Sequence, residues 1–370
     1  MTNSSNTPLK QSMGEQQLRS LSTTLAAIAP AFDAAAFLAT ALDGLEQLSL
    51  MQRVRRASEA IAAGSQAMDG YTAVLPMLME AAPRLGAGFI SLVAPDYVSQ
   101  HGRHDFERSM DALKFFTRYG TSEFAVREFL RDEPQRALDI MQGWSRDSDA
   151  AVRRLASEGC RPRLPWSFRL RTIEQSPELA APILDKLRAD PSLYVRKSVA
   201  NHLNDITKTH PAWVLERAAS WGLDDAHTRW IVRHALRTLL KQGNPQALSL
   251  LGAETATGIV VGKFEVTPGQ IILGETITLA CQLSSTASGP QRLLIHHRIR
   301  YVRQNQATSA KVFKLKEVTL EPGQHIAFER RQQIRDFTTR THYAGQHQVE
   351  LIVNGQLVAQ SVFDLTRDVQ

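Results

Sequence analysis

The sequence predicts an α-helical repeat solenoid followed by an all-β sandwich, and three observations carry that prediction. Up to about Glu254 the chain is rich in Ala, Leu, Arg and Glu, with apolar residues at helical spacing. From Thr257 onward Val, Ile, Thr, Gln and His alternate with a period of two. The length of 370 residues exceeds one ordinary domain, and a hydrophobic fraction of 43% supplies two cores. The seam Gly252-Ala-Glu-Thr-Ala-Thr-Gly258 separates the two periods. The expected division is a flexible N-terminal segment over 1–20, a helical domain over 21–255 and a β domain over 259–370.

Within the helical part, Leu21–Leu50, Arg53–Ala63 and Tyr71–Leu85 read as helices of irregular repeats. Further on, a phrase recurs. Asp149-Ala-Ala-Val152-Arg153-Arg154 is followed by Ser192-Leu-Tyr-Val195-Arg196-Lys197 and Arg229-Trp-Ile-Val232-Arg233-His234, with Val126-Arg127 as a weaker echo. The Val-Arg steps lie 43 and 37 residues apart, near the period of HEAT-type helix pairs. Asp149 and Asp190 stand where helix N-caps belong, and the valines point into the stack. Such pairs bury their apolar faces only by stacking, which makes one solenoid with a concave surface. A generic helical bundle is the alternative.

The last 115 residues read as short strands: Phe264-Glu-Val-Thr, Thr276–Leu283, Leu293–Val302, Lys311–Leu320 and Gln348–Val353, with Pro-Gly and Asn-Gly turns among them. Thr341-His-Tyr343-Ala-Gly345 resembles the tyrosine corner of an immunoglobulin-like sandwich, with Gly345 where an antibody domain places its second cysteine. The fold class expected is therefore a HEAT-like repeat solenoid followed by an immunoglobulin-like β-sandwich. Lys314 and Lys316 are expected on one face of their strand, with Lys311 on the other.

Charge and composition exclude several functions. Lys+Arg 43 against Asp+Glu 37 gives +6, divided as +2 and +4 between the two parts, so neither is basic in bulk. Cys160 and Cys281 form no disulfide framework or CxxC pair, no stretch is apolar enough to span a membrane, and no secretory leader opens the chain. A cytoplasmic protein is the expectation. No glycine-rich phosphate loop, HExxH, GxSxG or clustered Cys/His motif occurs, so neither a metal nor a cofactor is expected.

One stretch stands apart. Between Arg146 and Arg171 seven arginines face three acids, and the loop Cys160-Arg-Pro-Arg-Leu-Pro-Trp166 holds an aromatic ring among the cations. Arginine suits bidentate phosphate contact, and Trp166 suits stacking on a base or a cationic ring. The equally open reading is a solvated arginine face with Trp166 capping the core. Glu158 and Asp205 each fall in the last turn of a repeat helix, where an acid opposes the helix dipole at a cost of up to about 1 kcal/mol. Gly159 reads as the helix stop after Glu158, and a local pair of Glu158 with Arg154 is the bland explanation of that acid. Glu123, in a first helical turn, is less informative.

The order VRRLASEG-C-RPRLPW, DPSLYVRKSVANHLNDITKTHP and WIVRHALRTLLKQGN resembles the AlkC branch of the AlkC/AlkD DNA alkylation-repair glycosylases, from about Pro8 to Leu251. Asn201 and Asn204 stand where the AlkD branch has Trp and Arg, which favours AlkC. The resemblance implies a monomeric, monofunctional glycosylase that hydrolyses the N-glycosidic bond of 3-methyladenine and 3-methylcytosine in alkylated double-stranded DNA. It places catalytic roles on Glu158, Asp205 and Glu123 and lesion binding on Trp166. DNA contacts are expected from Arg154, Arg161, Arg163, Arg153, Arg196 and Lys197. The competing expectation is a non-catalytic HEAT/Ig adaptor that binds nucleic acid or protein through its concave face.

Overall fold

The computed structural model describes residues 9–86, 88–305, 307–337 and 340–367. Two compact units divide between Ala235 and Leu236, so the short helices Arg237–Lys241 and Pro245–Leu250 group with the strands, although the chain changes from helix to strand only at Ile259.

The first unit is helical. Of the segment expected to be flexible, 1–20, residues 9–20 fall in helical turns, and 1–8 lie outside the described residues. Met13 and Leu18 are fully buried, and the buried Arg53 donates to the Lys10 and Met13 carbonyls at 3.0 and 3.2 Å. The single helix read over Leu21–Leu50 is instead broken. Glu15–Ile28 ends before Pro30, which has no N–H to donate, and Asp33 caps the next helix, Ala34–Leu42, by accepting from the Ala35 and Ala36 amides.

Three helices of the recurring phrase, Ala150–Gly159, Leu193–Ile206 and Ala226–Ala235, stack side by side. Val152, Leu155 and Ala156 of the first helix and Val195, Val199 and Leu203 of the second are buried, and Ile231, Val232 and Ala235 continue the buried stripe on the third. Polar ties join like ends. Near the N-termini Arg153 binds both oxygens of Asp190 at 2.6 and 3.1 Å, and near the C-termini Asn204 donates to the Ala235 carbonyl at 2.7 Å. The helices therefore run parallel.

The N-cap of the second helix is Ser192, and Asp190 is held back to receive Arg153 and the Ser192 amide. The third repeat is also registered one turn earlier than its Val-Arg pair suggests. Arg153, Arg196 and Arg229 each reach back to carbonyls five and six residues before them, at 2.7–3.3 Å. Thr228-Arg229, rather than Val232-Arg233, is the structural equivalent.

Gly159 is the last residue of its helix rather than a left-handed stop. A Cβ there would stand 2.5 Å from Val126 Cγ1, so glycine is needed for close approach to the helix Val126–Asp132.

The second unit pairs two sheets. β1 (Ile259–Thr267), β3 (Thr276–Ser285) and β6 (His325–Gln333) form one in the order β1-β3-β6. β2 (Gln270–Ile272), β4 (Gln291–Val302), β5 (Thr308–Leu320), β7 (Gly345–Val353) and β8 (Gln356–Thr366) form the other in the order β2-β8-β7-β4-β5. Alternate residues of facing strands fill the core, including Leu279, Cys281, Ile295, Val349 and Phe363.

A register shift between Ile295 and His296 separates the two lysines expected on one face. Lys314 pairs with His296 and binds Glu317, whereas Lys316 pairs with the core residue Ile295 and lies over the Phe328 ring. At the corner before β7, Tyr343 is half-buried and the buried groups are His342 and His347. Nδ1 of His347 accepts from the Val302 amide, which leaves Nε2 to donate to the Tyr343 carbonyl.

Candidate active site

A cavity of about 460 Å³ opens in the helical unit. Its walls come from Gly88–Leu92, the turn Gly120–Phe124, Arg154 and Glu158 of one repeat helix, the loop Arg161–Trp166, and Tyr194 at the start of the next repeat helix. Segments far apart in the chain thus deliver two acids, two arginines and four aromatic rings to one space.

The charges form a continuous chain. Arg154 Nη1 donates to Glu123 at 2.6 Å, and its Nη2 stands 3.7 Å from Glu158. Arg161 donates to the same Glu158 oxygen at 2.6 Å, and through Nε and Nη2 to Asp205 at 3.0 and 2.9 Å. Lys208 reaches the other Asp205 oxygen at 3.2 Å. Glu158 and Asp205, the two acids that oppose their helix dipoles, are therefore joined by one guanidinium. The pair of Glu158 with Arg154 exists, but it is longer than the contact with Arg161.

Burial alone pushes the Glu158 carboxyl up. Arg161 and Arg154, with hydrogen bonds from Ser198 and Arg161, outweigh burial and hold it below its ordinary range. Cys160, fully buried behind it, is pushed up to about 12 by burial, so its thiol stays protonated and inert. Burial lowers His202 to about 4; it is neutral, and its Nδ1 donates to the Ser157 carbonyl at 2.9 Å.

Trp166 is 63% exposed and does not cap the core. Its φ of 66° lies in the left-handed region, which costs a non-glycine residue roughly 1–2 kcal/mol. Phe89 leans on it with ring centroids 6.2 Å apart. Tyr194 stands opposite Arg154, whose guanidinium lies 4.6 Å from the ring centroid.

The structure sorts the residues singled out in the sequence. Glu123, Glu158, Arg154, Arg161 and Trp166 line the cavity, and Asp205 does not; it sits behind Arg161. Three of the arginines expected on DNA are engaged within the protein. Arg153 holds Asp190, Arg163 holds Glu174 at 2.6 Å, and Arg196 holds the Asp190 and Pro191 carbonyls. Lys197 is exposed, as are Arg146, Arg169 and Arg171 from the arginine-rich stretch. Phe89, Thr121 and Tyr194 were missed. Tyr194 lies inside the recurring phrase at a position where the first repeat carries Ala151, a signal that was available, whereas Phe89 lies in no repeat.

Residues 105–239 match the DNA alkylation repair enzyme family, and residues 260–367 match the C-terminal Ig-like domain of YhaZ. The protein YhaZ of Bacillus subtilis strain 168 is 38% identical over 350 residues, which is 94% of this chain and 97% of that protein. The Pseudomonas fluorescens alkylpurine DNA glycosylase AlkC, solved bound to DNA containing an abasic site analog, is 51% identical, covers 97% of this chain and 99% of its own, and superposes with a TM-score of 0.94. The chain belongs to the AlkC family. Its helical-repeat and Ig-like architecture is thus that of an AlkC protein from end to end. Among the described residues, no group of His, Cys, Asp or Glu is arranged to hold a metal ion, and no helix is long and apolar enough to cross a membrane.

Proposed function

We propose that this AlkC-family protein is a DNA glycosylase that releases N3-methylated bases, 3-methyladenine and 3-methylcytosine, from alkylated double-stranded DNA. The carrying observation is the cavity itself: Glu123 and Glu158, fixed in place by Arg154 and Arg161, line the same space as an exposed tryptophan.

The chemistry follows from the lesion. An N3-methylated base carries a formal positive charge, so it leaves with the electron pair of the C1′–N bond and needs no proton from an acid. The sugar then becomes oxocarbenium-like, and fixed negative charge in a buried cavity stabilises it. Glu158, held ionised by its arginines, supplies that charge. Water adds to C1′ and gives up its proton to Glu123 or Glu158. Trp166 and Phe89 offer ring faces to the cationic base, a contact worth about 1–2 kcal/mol when desolvated. Asp205 acts through Arg161, which it orients from behind. A methylated, weakly paired base is also cheaper to expose than a normal one.

Monofunctional hydrolysis is supported by the lining. Among the described residues the cavity presents no lysine to form a Schiff base with the sugar. Arg146, Arg169, Arg171 and Lys197 are exposed, and they suit phosphate contact better than the engaged Arg153, Arg163 and Arg196. A DNA substrate is consistent with work on the nucleoid in the cytoplasm, and a monomer suffices, because one chain supplies every residue that lines the cavity.

The test is base release. Purified protein is incubated with duplex DNA methylated at N3 of adenine or cytosine, with a chelator and no cofactor, and the free base is identified by mass. The proposal expects free 3-methyladenine or 3-methylcytosine and a backbone that breaks only on later alkaline treatment. Tight binding to that DNA without base release would favour an adaptor instead.

A further inference from the structure

Arg127, in the helix Val126–Asp132, is among the largest side chains buried completely, at 0% exposure. Among the described residues no carboxylate lies within ion-pair distance of it, and its Nε has no hydrogen-bond partner. Burial lowers its pKa to about 10, so the guanidinium is still charged at neutral pH. An unpaired buried cation weakens a fold unless its hydrogen bonds compensate, and an apolar side chain of similar volume often serves stability as well.

What Arg127 does touch is specific. Nη1 donates to the Gly159 carbonyl at 3.0 Å and to the Arg161 carbonyl at 2.6 Å, and Nη2 donates to the Phe168 carbonyl. These carbonyls are the two feet of the loop that bears Arg161 and Trp166. The loop closes on itself through Ser167 N–H to Leu164 O at 3.3 Å and Leu170 N–H to Pro162 O at 3.1 Å. The Phe168 ring packs on the guanidinium at 5.3 Å. Close approach of the Arg127 helix is possible because residue 159 is glycine. Glu123 lies one turn before Arg127 on the same segment, so a single guanidinium ties the Glu123 wall to the Glu158–Trp166 wall.

We propose that Arg127 is a positioning residue for base excision: by clasping both feet of the 160–168 loop it sets Arg161 and Trp166 across the cavity from Glu123. It touches neither base nor sugar. Its three donated hydrogen bonds hold the loop that keeps Trp166 in its left-handed conformation. This inference rests on the glycosylase reading for its catalytic consequence, but not for its structural one.

The experiment compares Arg127→Met and Arg127→Lys with the wild-type protein in three measurements. These are amide hydrogen exchange across 160–170 without DNA, affinity for an unmodified duplex, and single-turnover release of the methylated base at saturating enzyme. Saturating single-turnover rates do not depend on the fraction of protein that folds, so they separate misplacement from instability. The expectation is faster exchange across 160–170, unchanged duplex affinity and a rate lowered on the order of 10²-fold for Met, with Lys between. A folded Met variant with wild-type exchange and rate overturns the proposal, as does a loss of duplex affinity equal to the loss of rate. If the Met variant does not fold, the Lys variant decides, because an ammonium cannot reach all three carbonyls. If the wild-type protein releases no base, the glycosylase reading fails, and loop exchange alone then upholds or overturns the clasp.

Discussion

The two ends of the same three stacked helices are built to opposite purposes. At the N-terminal end Arg153, Arg196 and Arg229 place cations where the helix dipole disfavours them, and each turns back to the carbonyls of its own preceding loop. At the C-terminal end Glu158 and Asp205 place anions where the dipole disfavours them, and neither is satisfied within its own repeat alone. Arg161, on the loop after the first helix, bridges both, and Arg154 extends the chain to Glu123. Unfavourable charge at a helix end is thus not in itself a sign of catalysis. The distinguishing feature is whether the charge is spent on tying the stack together, as at the N-terminal end, or carried to a cavity, as at the C-terminal end.

Substitutions at the cavity end are expected to move chemistry. Glu158→Gln removes one preorganised charge, worth about 3 kcal/mol, and should lower single-turnover excision on the order of 10²-fold while duplex affinity is kept. Trp166→Ala removes the ring that faces the cationic base. A loss of about 2 kcal/mol would slow excision roughly 10- to 30-fold, and a melting temperature at or above wild type would accompany it, since the substitution leaves the left-handed backbone no more strained. A larger fall in stability than in rate would mean that Trp166 is structural after all.

The N-terminal end should respond in stability only. Arg196→Met gives up two hydrogen bonds from a charged donor, and a loss of about 1–3 kcal/mol in denaturant unfolding is expected with an unchanged saturating excision rate. A smaller effect concerns acid. The folded Glu158 carboxyl lies below its unfolded value of about 4.5, so its contribution to stability is fully present above that value and is lost as pH falls through the lower, folded pKa. Glu158→Gln should therefore lose less stability than wild type between about pH 5 and 3, read from thermal melts. Parallel acid curves for the two proteins would show that Glu158 is not held ionised by its arginines.

Much of this was legible in the sequence because it depends on periodicity. The change from a 3.6- to a 2-residue period near Gly258, the phrase around Val152 and Val195, and the two acids in last helical turns all depend on local spacing. What escaped depends on direction. Counting seven arginines between 146 and 171 does not reveal that Arg153, Arg154, Arg161 and Arg163 bind acids within the fold and leave only Arg146, Arg169 and Arg171 exposed. One misplaced turn made Arg233 the partner of Arg153 and Arg196 in place of Arg229. A single register shift beside His296 moved Lys316 to the face opposite Lys314. Phe89 and Arg127 act through contacts with chain about 40 to 80 residues away, which no local pattern records.

The most direct test sets one substitution at each end of the stack side by side. Saturating single-turnover release of the methylated base from the same duplex is measured for wild type, Glu158→Gln and Arg196→Met. The account predicts a loss on the order of 10²-fold for Glu158→Gln and a wild-type rate for Arg196→Met, although the latter protein is less stable than wild type. Equal losses at the two ends, or an unchanged rate in Glu158→Gln, would contradict it.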